Sequence, residues 1–228
     1  MAAAAVLGLA WAGVLGHAAH AQNQAFASAR TLWADTLEKC PDNPKAMLGL
    51  AVALKEEEDL DGAEDLLRRV VEIQPDYAFA WVNLANLALA RGEDGRARAY
   101  YVKALELEQS PEALYNYGLF LFSRNEPKEA GAQFSAALEK RPWMVEARLN
   151  LGVCLAVMGR LAEAEAHLQK AVKQAPDLAA ARYNLGRVLL DRGKAAEAAR
   201  QFEQVLRIDP SFSPARAALE KARAPGRG

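Results

Sequence analysis

Four asparagines recur at nearly constant spacing in this sequence, each among apolar residues. Asn83, Asn116, Asn150 and Asn184 lie 33, 34 and 34 residues apart. Asparagine is unfavourable inside a helix because its side chain competes for backbone hydrogen bonds, so a regular placement indicates that the side chain faces something. A side-chain amide donates and accepts hydrogen bonds, which is the chemistry needed to hold an extended peptide backbone regardless of its side chains.

Residues that could support catalysis do not fall together. His17 and His20 are three residues apart but have no Cys or carboxylate nearby to complete a metal site. The remaining histidine, His167, is not grouped with a serine and an acid. The GEDG stretch at 92–95 lacks a preceding strand and is therefore not a phosphate loop. We expect no catalytic site, no metal and no cofactor, so the chain is predicted not to be an enzyme.

Composition indicates an ordinary folded helical protein. The 228 residues are 52% hydrophobic and 25% charged, and no stretch alternates between apolar and polar residues for long. The formal net charge of -1 argues against a nucleic-acid partner. Cys40 and Cys154 are too far apart in a stacked helical array to form a disulfide, and Cys154 is expected to be a small core residue.

The asparagine spacing extends to the whole sequence as a repeat of about 34 residues. Each repeat reads as two amphipathic helices, with glycine or a polar residue between them and proline after the second. Short amphipathic pairs cannot bury their apolar faces alone, so they must stack into a solenoid. The predicted segments are a half repeat at 22–43, repeats 1 to 5 at 44–77, 78–110, 111–144, 145–178 and 179–212, a capping helix at 213–223 and a disordered tail at 224–228.

These repeats resemble the tetratricopeptide repeat (TPR). Counted from the first residue of each repeat, the TPR pattern has a large residue at place seven, a small one at place eight, Ala at place twenty and Pro at place thirty-two. Places seven and eight hold Leu50-Ala51, Leu84-Ala85, Tyr117-Gly118, Leu151-Gly152 and Leu185-Gly186. Place twenty holds Ala63, Ala97, Ala130, Ala164 and Ala198, and place twenty-four holds Leu67, Tyr101, Phe134, Leu168 and Phe202. Repeat 2 has Gln109 instead of Pro and is one residue short. The resemblance implies an all-α, right-handed superhelix of antiparallel helix pairs, with the large residues of places seven and twenty-four between repeats.

In this family the first helix of each repeat lines a concave groove, and the four asparagines fall at place six. The resemblance therefore implies a non-catalytic scaffold for protein–protein interaction that binds an extended or helical peptide. The other candidate groove residues are Asn86, Phe79, Tyr115, Phe122, Tyr183 and Arg187. Place five holds Leu48 and Val82 rather than Lys, which argues against a carboxylate clamp. In the alternative interpretation the asparagines support the neighbouring repeat.

The first 21 residues carry no charged side chain. They read as a secretory signal or a membrane helix, or else as an Ala-rich helix that packs on the first repeat. We expect a bacterial-type protein that is membrane-anchored or exported to the periplasm, with a cytoplasmic location as the alternative. The junction that follows, with Gln22-Asn23, Phe26, Leu32-Trp33 and Asn43-Pro44, resembles that of membrane O-mannosyltransferases with a C-terminal TPR region. This implies a second function, the substrate-recruiting tail of a membrane glycosyltransferase.

Overall fold

The computed structural model describes residues 29–224, and every regular element in that range is an α-helix. The described part of α1 covers 29–39. The later helices are α2 (Pro44–Glu56), α3 (Leu60–Ile73), α4 (Ala78–Ala90), α5 (Asp94–Leu107), α6 (Pro111–Ser123), α7 (Pro127–Lys140), α8 (Val145–Val157), α9 (Leu161–Gln174), α10 (Ala179–Asp191), α11 (Ala195–Ile208) and α12 (Ser213–Arg223). The predicted all-α fold of helix pairs is confirmed. The apolar segment 1–21 and most of the predicted tail, 225–228, lie outside the described residues.

Helix pairs α2–α3, α4–α5, α6–α7, α8–α9 and α10–α11 are built alike, with a short turn between a first and a second helix. Place fifteen, in that turn, has a left-handed backbone in all five repeats. The φ angles are 66° at Glu58, 73° at Gly92, 61° at Asn125, 75° at Gly159 and 77° at Gly193. Such a residue ends a helix and lets the chain reverse, which is why glycine fills three of the five positions.

Small residues bring the two helices of a pair into close contact. The alanines at place twenty are completely buried in all five repeats. At place eight, a Cβ added to Gly118 would lie 2.7 Å from Cε1 of Phe134, and one added to Gly186 would lie 2.5 Å from Cε1 of Phe202. The large residue at place twenty-four therefore packs against the backbone of its own repeat.

The chain divides into two compact units, one up to Glu108 and one from Gln109. In the N-terminal unit, α3 packs against both α2 and α4, and α4 packs against α5. In the C-terminal unit, each helix from α6 to α12 packs against the next one in the chain. Ser110 caps α6 because its Oγ accepts a hydrogen bond from the backbone N–H of Ala113 at 3.2 Å.

Within each unit, one buried glutamate at place twenty-one of a repeat binds basic side chains of the next repeat. In the N-terminal unit, Glu64 of α3 lies 2.6 Å from nitrogen atoms of both Arg91 and Arg96. In the C-terminal unit, Glu165 of α9 accepts from Lys194 Nζ at 2.8 Å and also pairs with Arg192. Burial by itself raises the pKa of each carboxyl. The cationic partners together lower the pKa by more than burial raises it, so the net pKa of both groups is lowered.

Both cysteines are free thiols. Cys40 is exposed and Cys154 is buried, as expected for a core residue. Burial raises the pKa of the Cys154 thiol to about 11.

No helix among residues 29–224 has the length and apolar character needed to cross a membrane.

Candidate functional site

In the C-terminal unit, the first helices α6, α8 and α10 carry Asn116, Asn150 and Asn184 at corresponding positions. All three side chains are half-buried. The side chain of Asn116 makes no hydrogen bond to any residue within 29–224, so its amide has its full donor and acceptor capacity.

Asn150 is used differently, because it joins two repeats. Its Nδ2 donates a hydrogen bond to the hydroxyl oxygen of Tyr115, at 3.3 Å, which ties α8 to α6. Burial and the nearby carboxylate of Glu146 raise the pKa of Tyr115, and the bond from Asn150 lowers it by a smaller amount. The alternative interpretation, in which an asparagine supports the neighbouring repeat, therefore describes Asn150.

Asn184 bonds to its own helix. Its Nδ2 donates to the backbone oxygen of Ala180 at 2.8 Å. In the N-terminal unit, Asn83 makes the same bond to the backbone oxygen of Phe79, also at 2.8 Å. This bond uses one of the two N–H groups of each amide and fixes the side chain's orientation. The amide oxygen and the second N–H remain for other partners.

Asn86, also in the N-terminal unit, has a structural contact. Its Oδ1 accepts a hydrogen bond from the hydroxyl of Tyr101 on α5. Burial raises the pKa of Tyr101 to about 12, so this hydroxyl remains a donor at physiological pH. Asn86 thus joins the two helices of its own repeat.

The predicted aromatic residues fall into two groups. Phe79 and Phe122 are exposed, with 51% and 36% of their surface accessible. Tyr115 and Tyr183 are half-buried. The ring of Tyr115 lies 5.7 Å from that of the buried Phe134, and the ring of Tyr183 lies 5.9 Å from that of the buried Phe202 and 5.2 Å from that of the half-buried Phe212, between centroids. The tyrosines therefore present only part of each ring to solvent, whereas the phenylalanines offer apolar contact area.

A cavity of about 100 Å³ lies between α8 and α10 on the side that carries Asn184. Its lining combines that amide with apolar and charged side chains, namely Val153, Ala156, Val157, Leu168, Arg187, Val188 and Asp191. The cavity brings together two predicted site residues, Asn184 and Arg187.

Family models of the tetratricopeptide repeat match residues 20–78, 54–118 and 143–211. The chain belongs to the tetratricopeptide repeat family. The TPR fold is typically a scaffold without catalytic activity.

Two proteins are similar to this chain in sequence, and one solved structure is similar to it in fold. The chain is 30% identical over 105 residues to the human Protein O-mannosyl-transferase TMTC3, which is 45% of this chain and 12% of that protein. It is 36% identical over 75 residues to the human Protein O-mannosyl-transferase TMTC1, or 31% of this chain and 8% of that protein. The chain thus spans only a small part of these relatives. The solved structure of YrrB, described as a TPR protein with an unusual peptide-binding site, superposes with a TM-score of 0.69 at 23% identity, covering 82% of this chain and 97% of YrrB.

The TPR places also show what sequence reasoning missed. Leu48 and Val82, at place five, are only 8% and 4% exposed, so they contribute to the core rather than to an open groove. Val157 and Asp191, both at place thirteen, line the cavity instead, and Val157 is 59% exposed. The TPR resemblance implies that place thirteen, two helical turns beyond place six, also faces the groove, but these two residues were not among the candidates.

Proposed function

We propose that this chain is a non-catalytic scaffold that binds an extended or helical segment of a partner protein along the first helices of its repeats. The observation that carries the proposal is the 100 Å³ cavity of the C-terminal unit, where the amide of Asn184 lies beside Arg187, Asp191 and the exposed Val157. A peptide needs such a combination of backbone hydrogen bonds, a charged contact and an apolar anchor.

Asn116 and Phe122 extend this surface along α6. The amide of Asn116 is uncommitted within the described residues, and the ring of Phe122 is exposed. Asn150 contributes indirectly, because its bond to Tyr115 fixes the tyrosine hydroxyl. In the N-terminal unit, Asn83 and the exposed Phe79 offer the same two kinds of contact. The peptide-binding site described for YrrB supports the proposal by analogy of fold alone.

The experiment starts from a random peptide library displayed on phage and selected against the full chain. Selected peptides are then titrated against a variant with Asn116→Ala, Asn150→Ala and Asn184→Ala. We expect at least tenfold weaker binding, because a lost hydrogen bond contributes about 1 kcal/mol and a tenfold change corresponds to about 1.4 kcal/mol. The helical circular dichroism should be nearly unchanged.

The matched control replaces amides on the second helices, with Gln133→Ala and Gln204→Ala, which should leave peptide affinity unchanged. Equal affinity of the asparagine variant and the unmodified chain for every selected peptide would contradict the proposal.

A second candidate function is the substrate-recruiting TPR tail of a membrane glycosyltransferase. The similarity to parts of two human O-mannosyl-transferases favours it. It predicts that the DNA upstream of this sequence encodes membrane helices in the same reading frame. An upstream stop codon in frame would remove this candidate.

We also propose that residues 1–21 direct the protein to the membrane or the periplasm, since this segment carries no charged side chain. Expression in bacteria, cell fractionation and amino-terminal sequencing test this. A periplasmic product that begins near Gln22 would identify a signal, and an intact product in the membrane would identify an anchor. A full-length product in the cytoplasm would contradict the proposal.

A further inference from the structure

The ion pair between the glutamate at place twenty-one and the next repeat is missing at one junction of the C-terminal unit. Glu165 at this place binds Arg192, which stands at place fourteen of repeat 5. At the junction of repeats 3 and 4, the same two places hold Gly131 and Met158. The carboxylate and its arginine are therefore both absent from this junction.

An open cleft of about 330 Å³ lies at that junction, between α7, α8 and α9. The corresponding position between repeats 1 and 2 is lined by Glu64, Glu93, Arg96 and Tyr100, together with Leu84, Leu87 and Ala88, and has essentially no free volume, about 0 Å³. A glutamate side chain and its partners thus fill this position where they are present. The cleft volume falls at the lower end of the range of about 300 to 1,000 Å³ for small-molecule sites.

The cleft has a polar rim that favours an anion. Lys128 and Arg160 carry positive charge, and Glu163, whose oxygens lie 2.7 and 2.6 Å from Arg160 nitrogens, is the single acidic residue in the lining. Arg160 stands at place sixteen, where Lys194 of the next repeat binds Glu165. The cleft therefore has a positive charge, on Arg160, at the same place from which Lys194 binds Glu165 at the next junction.

His167 gives an independent indication of a missing partner. Its Nδ1 atom is buried and makes no hydrogen bond within residues 29–224. A buried polar atom without a partner costs free energy, so such atoms commonly mark the position of a ligand or bound solvent. Burial lowers the pKa of His167, the positive charges of Arg148 and Lys170 lower it further, and the Glu163 carboxylate raises it by a smaller amount. The ring is therefore neutral at physiological pH.

We propose that this cleft binds a small carboxylic acid, whose carboxylate takes the position of the missing glutamate side chain at residue 131. The carboxylate accepts hydrogen bonds from Arg160, Lys128 and the imidazole of His167. The hydrocarbon part of the acid lies on the apolar floor formed by Leu151, Leu155 and Met158. This site is separate from the proposed peptide surface, because Lys128 lies on α7, His167 on α9 and Arg160 in the turn before α9, whereas the proposed peptide surface is formed by first helices.

The first test titrates the full chain with sodium butyrate at constant ionic strength and follows NMR signals. We expect saturable shifts of the Gly131 amide and the His167 ring at concentrations on the order of 10 mM, with an increase in the pKa of His167. Butyramide, which has the same shape without the charge, should bind at least tenfold more weakly. Equal shifts with butyramide, or no saturable shift with butyrate, would overturn the proposal.

The second test supplies the carboxylate from the chain itself. A Cβ at Gly131 would lie 3.6 Å from its nearest neighbours, an ordinary contact, so a side chain fits at this position. Gly131→Glu should raise Tm above that of Gly131→Gln and abolish the butyrate response. The glutamine variant is a matched control because both residues have nearly the same size and helix propensity. Equal Tm values for the two variants, or butyrate binding that survives in Gly131→Glu, would contradict the proposal.

Discussion

The buried carboxylate of Glu165 has consequences for stability at the scale of a single residue. It is 6% exposed and bound by Lys194 and Arg192 of the next repeat, and Gln169 of its own helix donates to it at 3.0 Å. Because its pKa is lowered from the ordinary 4.5, folding favours the charged form. This contribution to stability is complete above about pH 4.5 and is lost as the pH falls through the lowered pKa.

Glu165→Gln should lower the free energy of unfolding at neutral pH by about 1 to 3 kcal/mol, because two cations lose their partner. The difference from the unmodified chain should shrink as the pH falls below about 4.5 and disappear once the pH is below the lowered pKa, where the native carboxyl is also neutral. Urea denaturation at several pH values measures this, with the exposed Glu139→Gln as the control. A difference that is the same at pH 7 and in acid would contradict the prediction.

The positions of the candidate site residues were predictable from the sequence, but their hydrogen-bond partners were not. The 34-residue period placed Asn116, Asn150 and Asn184 at equivalent positions because each repeat has the same helix lengths. It could not show that one amide is uncommitted, one bonds to Tyr115 and one bonds to its own helix. Those differences depend on the residue that faces each asparagine, which varies between repeats. The His167 cleft was not predicted, since its signal is the absence of a glutamate at residue 131.

At the scale of helices and turns, the sequence predicted the helix pairs well, because apolar periodicity and proline or glycine at the ends agree. The turn at Glu58 carried no such signal. Its φ of 66° lies in the left-handed region, where an ordinary side chain is strained. Three of the other four repeats have glycine at this place. The left-handed backbone at this place is required by the reversal of the chain, whichever residue stands there.

Glu58→Gly should therefore stabilise the N-terminal unit by about 1 kcal/mol, because relief of this strain exceeds the extra entropy that glycine gives the unfolded chain. Asn125→Gly should give a smaller gain, since asparagine tolerates the left-handed region. Gly92→Ala is the reverse control and should destabilise. Thermal unfolding followed by circular dichroism measures all three, and a lower Tm for Glu58→Gly would show that this turn is not strained.

At the scale of the whole chain, the C-terminal unit has the parts that an independent solenoid needs. It contains three helix pairs and ends with α12 (Ser213–Arg223), whose outer face exposes Arg216, Glu220 and Lys221. A charged terminal helix covers the apolar surface of the last repeat, as solenoid ends require. The sequence predicted this cap, but it did not predict the division at Glu108, which depends on packing between helices.

Residues 109–228 expressed alone should fold, since this unit reaches the minimum of three repeats that a stable array needs and carries its own cap. We expect helical circular dichroism and a single cooperative unfolding transition in urea. A gradual loss of signal without a transition would show that the C-terminal unit is not autonomous.

The glutamate at place twenty-one also constrains how this gene could have grown. Tandem arrays lengthen when a stretch of DNA is copied beside itself. Copying repeat 4 alone would place Met158 of the copy where Arg192 now binds Glu165, and a buried carboxylate would lose its arginine. Copying repeats 4 and 5 together would preserve that pair and would set Ala199, a small buried residue, opposite Met158 at the new junction. A copy of repeat 4 alone is therefore disfavoured, and lineages of this chain should rarely carry two adjacent copies of repeat 4.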